Sequence, residues 1–192
     1  MKISIIKKED KLKETTSEES VIINKRNYSA IILFTKVIVA IIYAFGLGYS
    51  LFFLGDDFIK EGLVFLALLI ISYIIIEIPY ALIKSLFLPK VFEKDNIRLL
   101  INPFTMAIDI CSNIKISRIR YIFSILIPFI IFAIVPTIAS YILEFHMYLY
   151  VIASASAIIA TKDIMYLIIL LINHSKGNSF KIELNEFIFK DN

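Results

Sequence analysis

The sequence predicts an all-α membrane protein: four transmembrane helices with a small cytosolic β-hairpin-like loop and a strand-like tail. Three observations predict it. Hydrophobic residues make up 59% of the 192, where soluble domains hold about 45–50%. A chain this short cannot bury so large an excess internally, and lipid supplies the second apolar solvent. Four apolar runs each exceed the roughly 20 residues that a helix needs to cross a bilayer. Lys and Arg gather in alternate connecting segments, as the positive-inside rule expects of a multi-pass chain.

Residues 1–27 form a polar arm of mixed charge. Met1–Ile6 alternates weakly and reads as a short strand. Lys8–Ser20 is rich in Lys, Glu, Ser and Thr and suits a solvated helix or a flexible arm. Roughly the first 28 residues lack the basic-then-apolar order of a signal peptide, so the first hydrophobic segment is expected to be a retained anchor.

The four-helix transmembrane domain spans residues 28–173. The first helix, 28–54, carries one charge, Lys36, whose stem can carry the ammonium to the near interface. A polar turn precedes the second helix, 62–88, which contains Glu77 and stops at Pro89. The loop 89–120 is long enough for structure of its own. Within it, Asn96–Ile101 and Thr105–Ile110 are β-type stretches around Asn102-Pro103, which makes a hairpin.

The third helix, 121–145, contains Pro128 and Pro136, which membrane helices tolerate when neighbours satisfy the freed carbonyls. The fourth, 147–173, carries Lys162 and Asp163. The tail, 174–192, holds an amphipathic, strand-like Phe180–Phe189. No repeat of solenoid period is present.

Orientation follows from the basic residues. The arm holds Lys2, Lys7, Lys8, Lys11, Lys13, Lys25 and Arg26, the middle loop Lys90, Lys94, Arg98, Lys115, Arg118 and Arg120, and the tail Lys176, Lys181 and Lys190. The turn after the first helix has Lys60 beside Asp56, Asp57 and Glu61, and the turn after the third has no Lys or Arg. Both termini are therefore expected in the cytosol.

Composition also excludes functions. The net charge is +3, and the basic residues are scattered among acids, so nucleic acid is not an expected partner. Cys111 is the one cysteine, which rules out an intrachain disulfide. It reads as a small buried residue of the hairpin. Gly46 and Gly48 lie within the first helix, where packing explains them better than phosphate binding does.

The polar residues inside the helices need a reason, because each ionised side chain there costs about 2.5–3.5 kcal/mol on insertion scales. Glu77 and Asp163 lie about 15 and 16 residues along their helices, or roughly 22–24 Å from the outer end at 1.5 Å per residue. They share a depth. Tyr73, Glu77, Tyr80 and Lys84 fall on one helical face, and Ser156, Asp163 and Tyr166 on another. Ala153, Ala157 and Ala160 allow close packing of the fourth helix. One reading is a polar cluster that fixes helix arrangement, with a Glu77–Lys162 or Lys84–Asp163 pair neutralising it. The other is a site at the membrane–cytosol boundary.

Residues 76–80 read Ile-Glu-Ile-Pro-Tyr, followed by Ala81-Leu82. A strand-like loop comes next, then Ile116-Ser117-Arg118 leading into a helix with Ile127-Pro128-Phe129. A later helix bears Asp163, and the tail holds Lys176-Gly177. This order resembles the putative zincin peptidase family of bacterial membrane proteins, which is similar to the site-2-protease-like intramembrane metallopeptidases. The resemblance covers roughly residues 28–190. It implies a helix with His-Glu-x-x-His, in which the histidines bind zinc, the glutamate is general base and a later aspartate is the candidate third ligand. Glu77 matches the base, and Asp163 is the candidate acidic ligand. Ile76 and Tyr80 stand where the histidines would be. Isoleucine cannot bind zinc, and tyrosine is a poor ligand until deprotonated near pH 10. His146 and His174 are expected on opposite sides of the bilayer, about 30 Å apart.

The resemblance with its ligands replaced implies a degenerate, non-catalytic member in the bacterial cytoplasmic membrane. Its expected partners are the lipid bilayer and a membrane peptide or partner protein. No cofactor is expected, and zinc enters only if the replaced ligands are made good elsewhere. Two other functions compete: an intramembrane peptidase using Glu77 and Asp163 as a carboxylate pair, and a small transporter or permeation subunit, since intramembrane charges mark ion paths.

Overall fold

Four helical spans among the described residues are long and apolar enough to cross a membrane: Ser29–Phe52, Ile59–Leu86, Arg118–Ile142 and Met147–Ile172. The chain is a multi-pass membrane protein. Its structure, a computed structural model, describes residues 2–5, 20–54, 58–89, 97–102, 107–173, 179–182 and 186–190. The stretch 8–19, expected as a helix or flexible arm, lies outside them.

The chain divides into two compact units. One takes in Ser29–Tyr80 and Ile125–Met165, and the other Met1–Tyr28, Ala81–Ser124 and Tyr166–Asn192.

The first unit is helical. Helix α1 is Ser29–Leu54 and helix α2 is Phe58–Leu86. Helix α2 starts four residues before the apolar run itself, with Glu61 in its first turn, where an acid is favoured by the helix dipole. Pro79 sits inside it, leaving the Ile75 carbonyl without its usual donor.

The third span is not one regular helix. Helix α3, Arg118–Phe129, passes into a π-helical turn, Ile130–Ile134, and then into helix α4, Val135–Ile142. Val135 N–H reaches back to the Ile130 carbonyl. The cause is local: Pro136 has no N–H for the Phe132 carbonyl and its ring crowds that oxygen. Widening the helix by one residue relieves the crowding.

The turn after α4 is tight. Glu144 and Phe145 both take left-handed backbone, with φ of 54° and 63°, a conformation that side chains other than glycine disfavour. Two backbone bonds close it: Leu143 N–H to the Ala139 carbonyl at 3.0 Å and His146 N–H to the Ser140 carbonyl at 2.9 Å. The Phe145 ring packs 5.2 Å from that of Tyr150. Helix α5, Met147–Asn173, follows and is the most buried of the four spans. Its Ala153, Ser154, Ala155, Ser156 and Ala160 are fully enclosed. Leu47, Leu51, Phe65, Tyr150 and Val151 form one buried cluster of this unit.

The other unit is built on a six-stranded sheet. Its strands are β1 (Lys2–Ile5), β2 (Ser20–Asn24), β3 (Ile97–Asn102), β4 (Ala107–Ser117), β5 (Ser179–Ile182) and β6 (Glu186–Lys190). The order is β1-β3-β4-β5-β6-β2. The expected hairpin is β3–β4, paired from Ile97↔Ser112 to Asn102↔Ala107. The expected tail strand is two strands, β5 and β6, and the N-terminal strand β1 runs parallel to β3. Strand β4 extends well past Ile110 and pairs with β5, with a bulge between Ser112 and Ile116. The Ser112 hydroxyl bonds the Ile114 backbone inside that bulge. Ile97 and Leu99 point inward while Arg98 is exposed, the alternation of a one-sided sheet. Tyr121 packs edge-on against Phe180 at 5.1 Å and Phe187 at 6.0 Å. Cys111 is half-buried in β4.

Candidate functional site

The helical unit gathers part of the expected polar set. Ile76, Tyr80, Ala155, Ile159 and Ala160 form one buried cluster, with Phe129, Phe132 and Ile152 packed around it. Helices α2 and α5 meet there because alanines face the bulky residues and let the backbones approach. Glu77 follows Ile76 directly, and Asp163 lies one turn beyond Ala160, so both acids flank this contact. Each is only 5% exposed.

Tyr80 is the centre of the arrangement. It is 2% exposed, and its ring lies 6.4 Å from that of Phe132, a residue of the π-helical turn. Its hydroxyl is buried with no hydrogen-bond partner among the described residues.

The remaining residues go elsewhere. Ser156 donates to the Ile152 carbonyl of its own helix at 2.7 Å, so its proton is not offered to the acids. Tyr73 accepts a hydrogen bond from Lys36 Nζ at 3.3 Å, and the same ammonium lies 5.8 Å from the Tyr73 ring centre. Lys36 was expected to extend to the interface, yet it bonds within the helical unit. The only signal in the sequence was the charge itself, since the partner tyrosine is 37 residues away. Lys162 is half-buried beside Asp163. Lys84 and Tyr166 belong to the sheet-bearing unit. Lys84 is buried there, and the Tyr166 ring packs 5.8 Å from Phe187.

Zinc has no place in this donor set. A zinc site takes four tetrahedral ligands from Cys, His and carboxylates, or three with one position open to water or substrate. Position 76 is an isoleucine packed in the core, and position 80 is a phenol wedged against Phe132. His146 is exposed in the turn before α5, and His174 lies outside the described residues. Among the described residues, no three of His, Cys, Asp and Glu come together as a metal-holding group.

Neither the curated proteins nor the solved structures contain a match to the chain. A family model described as "Putative zincin peptidase" matches residues 73–178. That stretch begins at Tyr73 on α2, passes through the sheet strands β3 and β4 and the third span, and ends beyond α5. It carries the Ile-Glu-Ile-Pro-Tyr segment, Asp163 and more than half of the residues, and the chain therefore belongs to the putative zincin peptidase family.

Proposed function

We propose that this chain is a non-hydrolytic member of the family that acts by binding a membrane peptide or a partner membrane protein. The observation that supports the reading is the packing of Ile76 and Tyr80. Both stand at the positions of zinc-binding histidines, and both are enclosed in the α2–α5 core. Side chains used as core cannot also present a ligand to a metal. The family's scaffold remains, with its membrane helices and sheet, and it offers surfaces for binding.

The family resemblance favours the bacterial cytoplasmic membrane, and the distribution of Lys and Arg favours both termini in the cytosol. Cysteine labelling at Ser29 and at His146 from each side of intact cells tests that placement. Labelling of Ser29 from outside overturns it.

The reading is tested on the purified full-length protein in detergent. Zinc content is measured, together with cleavage of a panel of fluorogenic membrane peptides. The expected result is no stoichiometric zinc and no turnover, with a peptide or protein recovered by crosslinking in the membrane. Turnover that Glu77→Gln abolishes overturns it.

The second reading, hydrolysis by a carboxylate pair, has one observation in its favour. Glu77 and Asp163 are both buried and both belong to the helical unit. It predicts metal-independent cleavage lost in either Glu77→Gln or Asp163→Asn, with folding intact.

A further inference from the structure

We infer that strand β2 is the contact through which two copies of this chain join, edge to edge, into one continuous sheet. The inference goes beyond the non-hydrolytic reading and stands without it.

The outer strands of the sheet are β1 and β2, since its order is β1-β3-β4-β5-β6-β2. An outer strand turns a row of backbone N–H and C=O groups away from its own sheet, and natural proteins blunt such edges with short strands, Lys, Pro or bulges. The two edges differ in this respect. Strand β1 has four residues and begins with Lys2. Strand β2 reads Ser-Val-Ile-Ile-Asn, with no charge and no proline. It pairs with β6 in unbroken register from Ser20↔Lys190 to Asn24↔Glu186. Among the described residues, no strand pairs with its other side.

The sequence of the strand identifies what pairs there. Laid antiparallel to itself about Ile22, it sets Val21 opposite Ile23 of the second copy and Ser20 opposite Asn24, apolar with apolar and polar with polar. The flanking charges follow the same symmetry. Glu18 and Glu19 precede the strand, and Lys25 and Arg26 follow it. The same register brings Glu19 toward Lys25 of the second copy and Glu18 toward Arg26, at both ends of the contact. A two-fold interface repeats each pair in this way, and roughly four to six backbone hydrogen bonds close it.

The membrane sets a further condition, which this pairing meets. The two-fold axis of an antiparallel strand pair stands perpendicular to the sheet, so both copies keep the same face on the same side. On that face Tyr121 of α3 packs against Phe180 and Phe187, and Tyr166 of α5 against Phe187. The helix ends of both copies therefore lie on one side of the joined sheet, as two proteins in one bilayer require. Pairing β2 with β1 of the next copy is parallel and does not close, which leads to open chains.

The test uses the full-length protein carrying Cys111→Ala, so that introduced cysteines are the only ones. Ile22→Cys lies on the axis, where opposite Cα atoms are about 4.5–5.5 Å apart, within reach of a disulfide. Oxidation of isolated membranes is expected to give a disulfide dimer for Ile22→Cys and none for Ser20→Cys alone. Co-expressed Ser20→Cys and Asn24→Cys chains are expected to give a mixed dimer. Light scattering in mild detergent is expected to show two chains per particle. Ile22→Lys sets like charges opposite one another and is expected to weaken the dimer roughly tenfold. Co-expression with Ile22→Glu chains is expected to restore it, which a folding defect would not allow.

Three outcomes overturn the inference: one chain per particle with no disulfide for Ile22→Cys, equal crosslinking of Ser20→Cys and Ile22→Cys, or open-ended oligomers, which belong to the β1–β2 pairing. None of these readouts involves zinc or peptide cleavage, so failure of this inference and failure of the non-hydrolytic reading are distinguishable.

Discussion

The Tyr150 hydroxyl donates a 2.8 Å hydrogen bond to the backbone carbonyl of Tyr43, tying the start of α5 to the middle of α1. The contact depends on Gly46. A Cβ at that position would run into the Tyr150 hydroxyl and crowd that of Tyr141 at 3.3 Å. Gly46 is thus a close-approach glycine: its missing side chain leaves room for the Tyr150 phenol against α1. Tyr43 continues the link through its own hydroxyl, 3.1 Å from Thr137 Oγ1 on α4.

The first prediction follows from that contact. Gly46→Ala is expected to destabilise the protein by about 1–3 kcal/mol, the usual cost of overpacking. Tyr150→Phe is expected to cost about 0.5–1.5 kcal/mol for the lost bond. The double variant should cost less than the sum, because removing the hydroxyl makes room for the methyl group. Thermal or denaturant unfolding in detergent measures all three, and strict additivity would show that the two residues do not press on one another.

A second prediction concerns Ile76 and Tyr80, proposed above to stand where the family carries zinc-binding histidines. Ile76→His with Tyr80→His writes His-Glu-x-x-His into α2, with Asp163 on α5 as the acidic candidate. The double variant is expected to lose about 2–4 kcal/mol of stability, since both positions are core. It is also expected to retain zinc on a desalting column where the parent does not. Elemental analysis of the two proteins decides it, and equal zinc in both would mean that the parent holds the metal by other residues.

The sequence made some of this legible and hid the rest, for physical reasons. Helix α5 could be placed because Met147–Asn173 is an apolar run bounded by Glu144 and His146 on one side and His174 on the other. The hairpin could be placed because its partners are local in the chain. The extension of β4 to Ser117 was harder to read: Ile108, Ile110, Ile114 and Ile116 alternate, but Ser112 interrupts the period and the partner β5 lies more than sixty residues away. The π-helical turn was hidden for another reason: Pro128 and Pro136 announce a disturbance, but only the packed helix shows how the backbone absorbs it. For the site, the shared depth of Glu77 and Asp163 was countable along the helices. That Tyr80 would be enclosed by Phe132 depended on the π turn and was not.

Ser156 supplies a third prediction. Its hydroxyl is spent on the Ile152 carbonyl, so Ser156→Ala is expected to change stability by less than about 0.5 kcal/mol, as bonds of this kind add little to a helix. Ser156→Leu is expected to cost at least about 1–3 kcal/mol, because the residue is fully enclosed and the added bulk must displace a neighbour. If unfolding measurements showed Ser156→Ala to be as damaging as Ser156→Leu, the hydroxyl would have to serve the acidic site after all.

The last prediction concerns Lys36. Its ammonium bonds the Tyr73 hydroxyl at 3.3 Å and lies 5.8 Å from the ring centre. Both residues are half-buried, and a cation over an aromatic ring is worth about 0.5–1 kcal/mol where solvent reaches it and more where it does not. Tyr73→Phe removes the hydrogen bond and keeps the ring. Tyr73→Leu removes both. Lys36→Met keeps most of the stem and removes the charge. Tyr73→Phe is therefore expected to cost least, about 0.5 kcal/mol, within the range measured for hydrogen bonds between membrane helices. Tyr73→Leu should cost more in the Lys36 background than in the Lys36→Met background, because only the first has an ammonium to strand. A double-mutant cycle in detergent gives the coupling directly. A coupling near zero would mean that Lys36 reaches the interface, as its position near the start of α1 first suggested, and that its bond to Tyr73 does not hold α1 against α2.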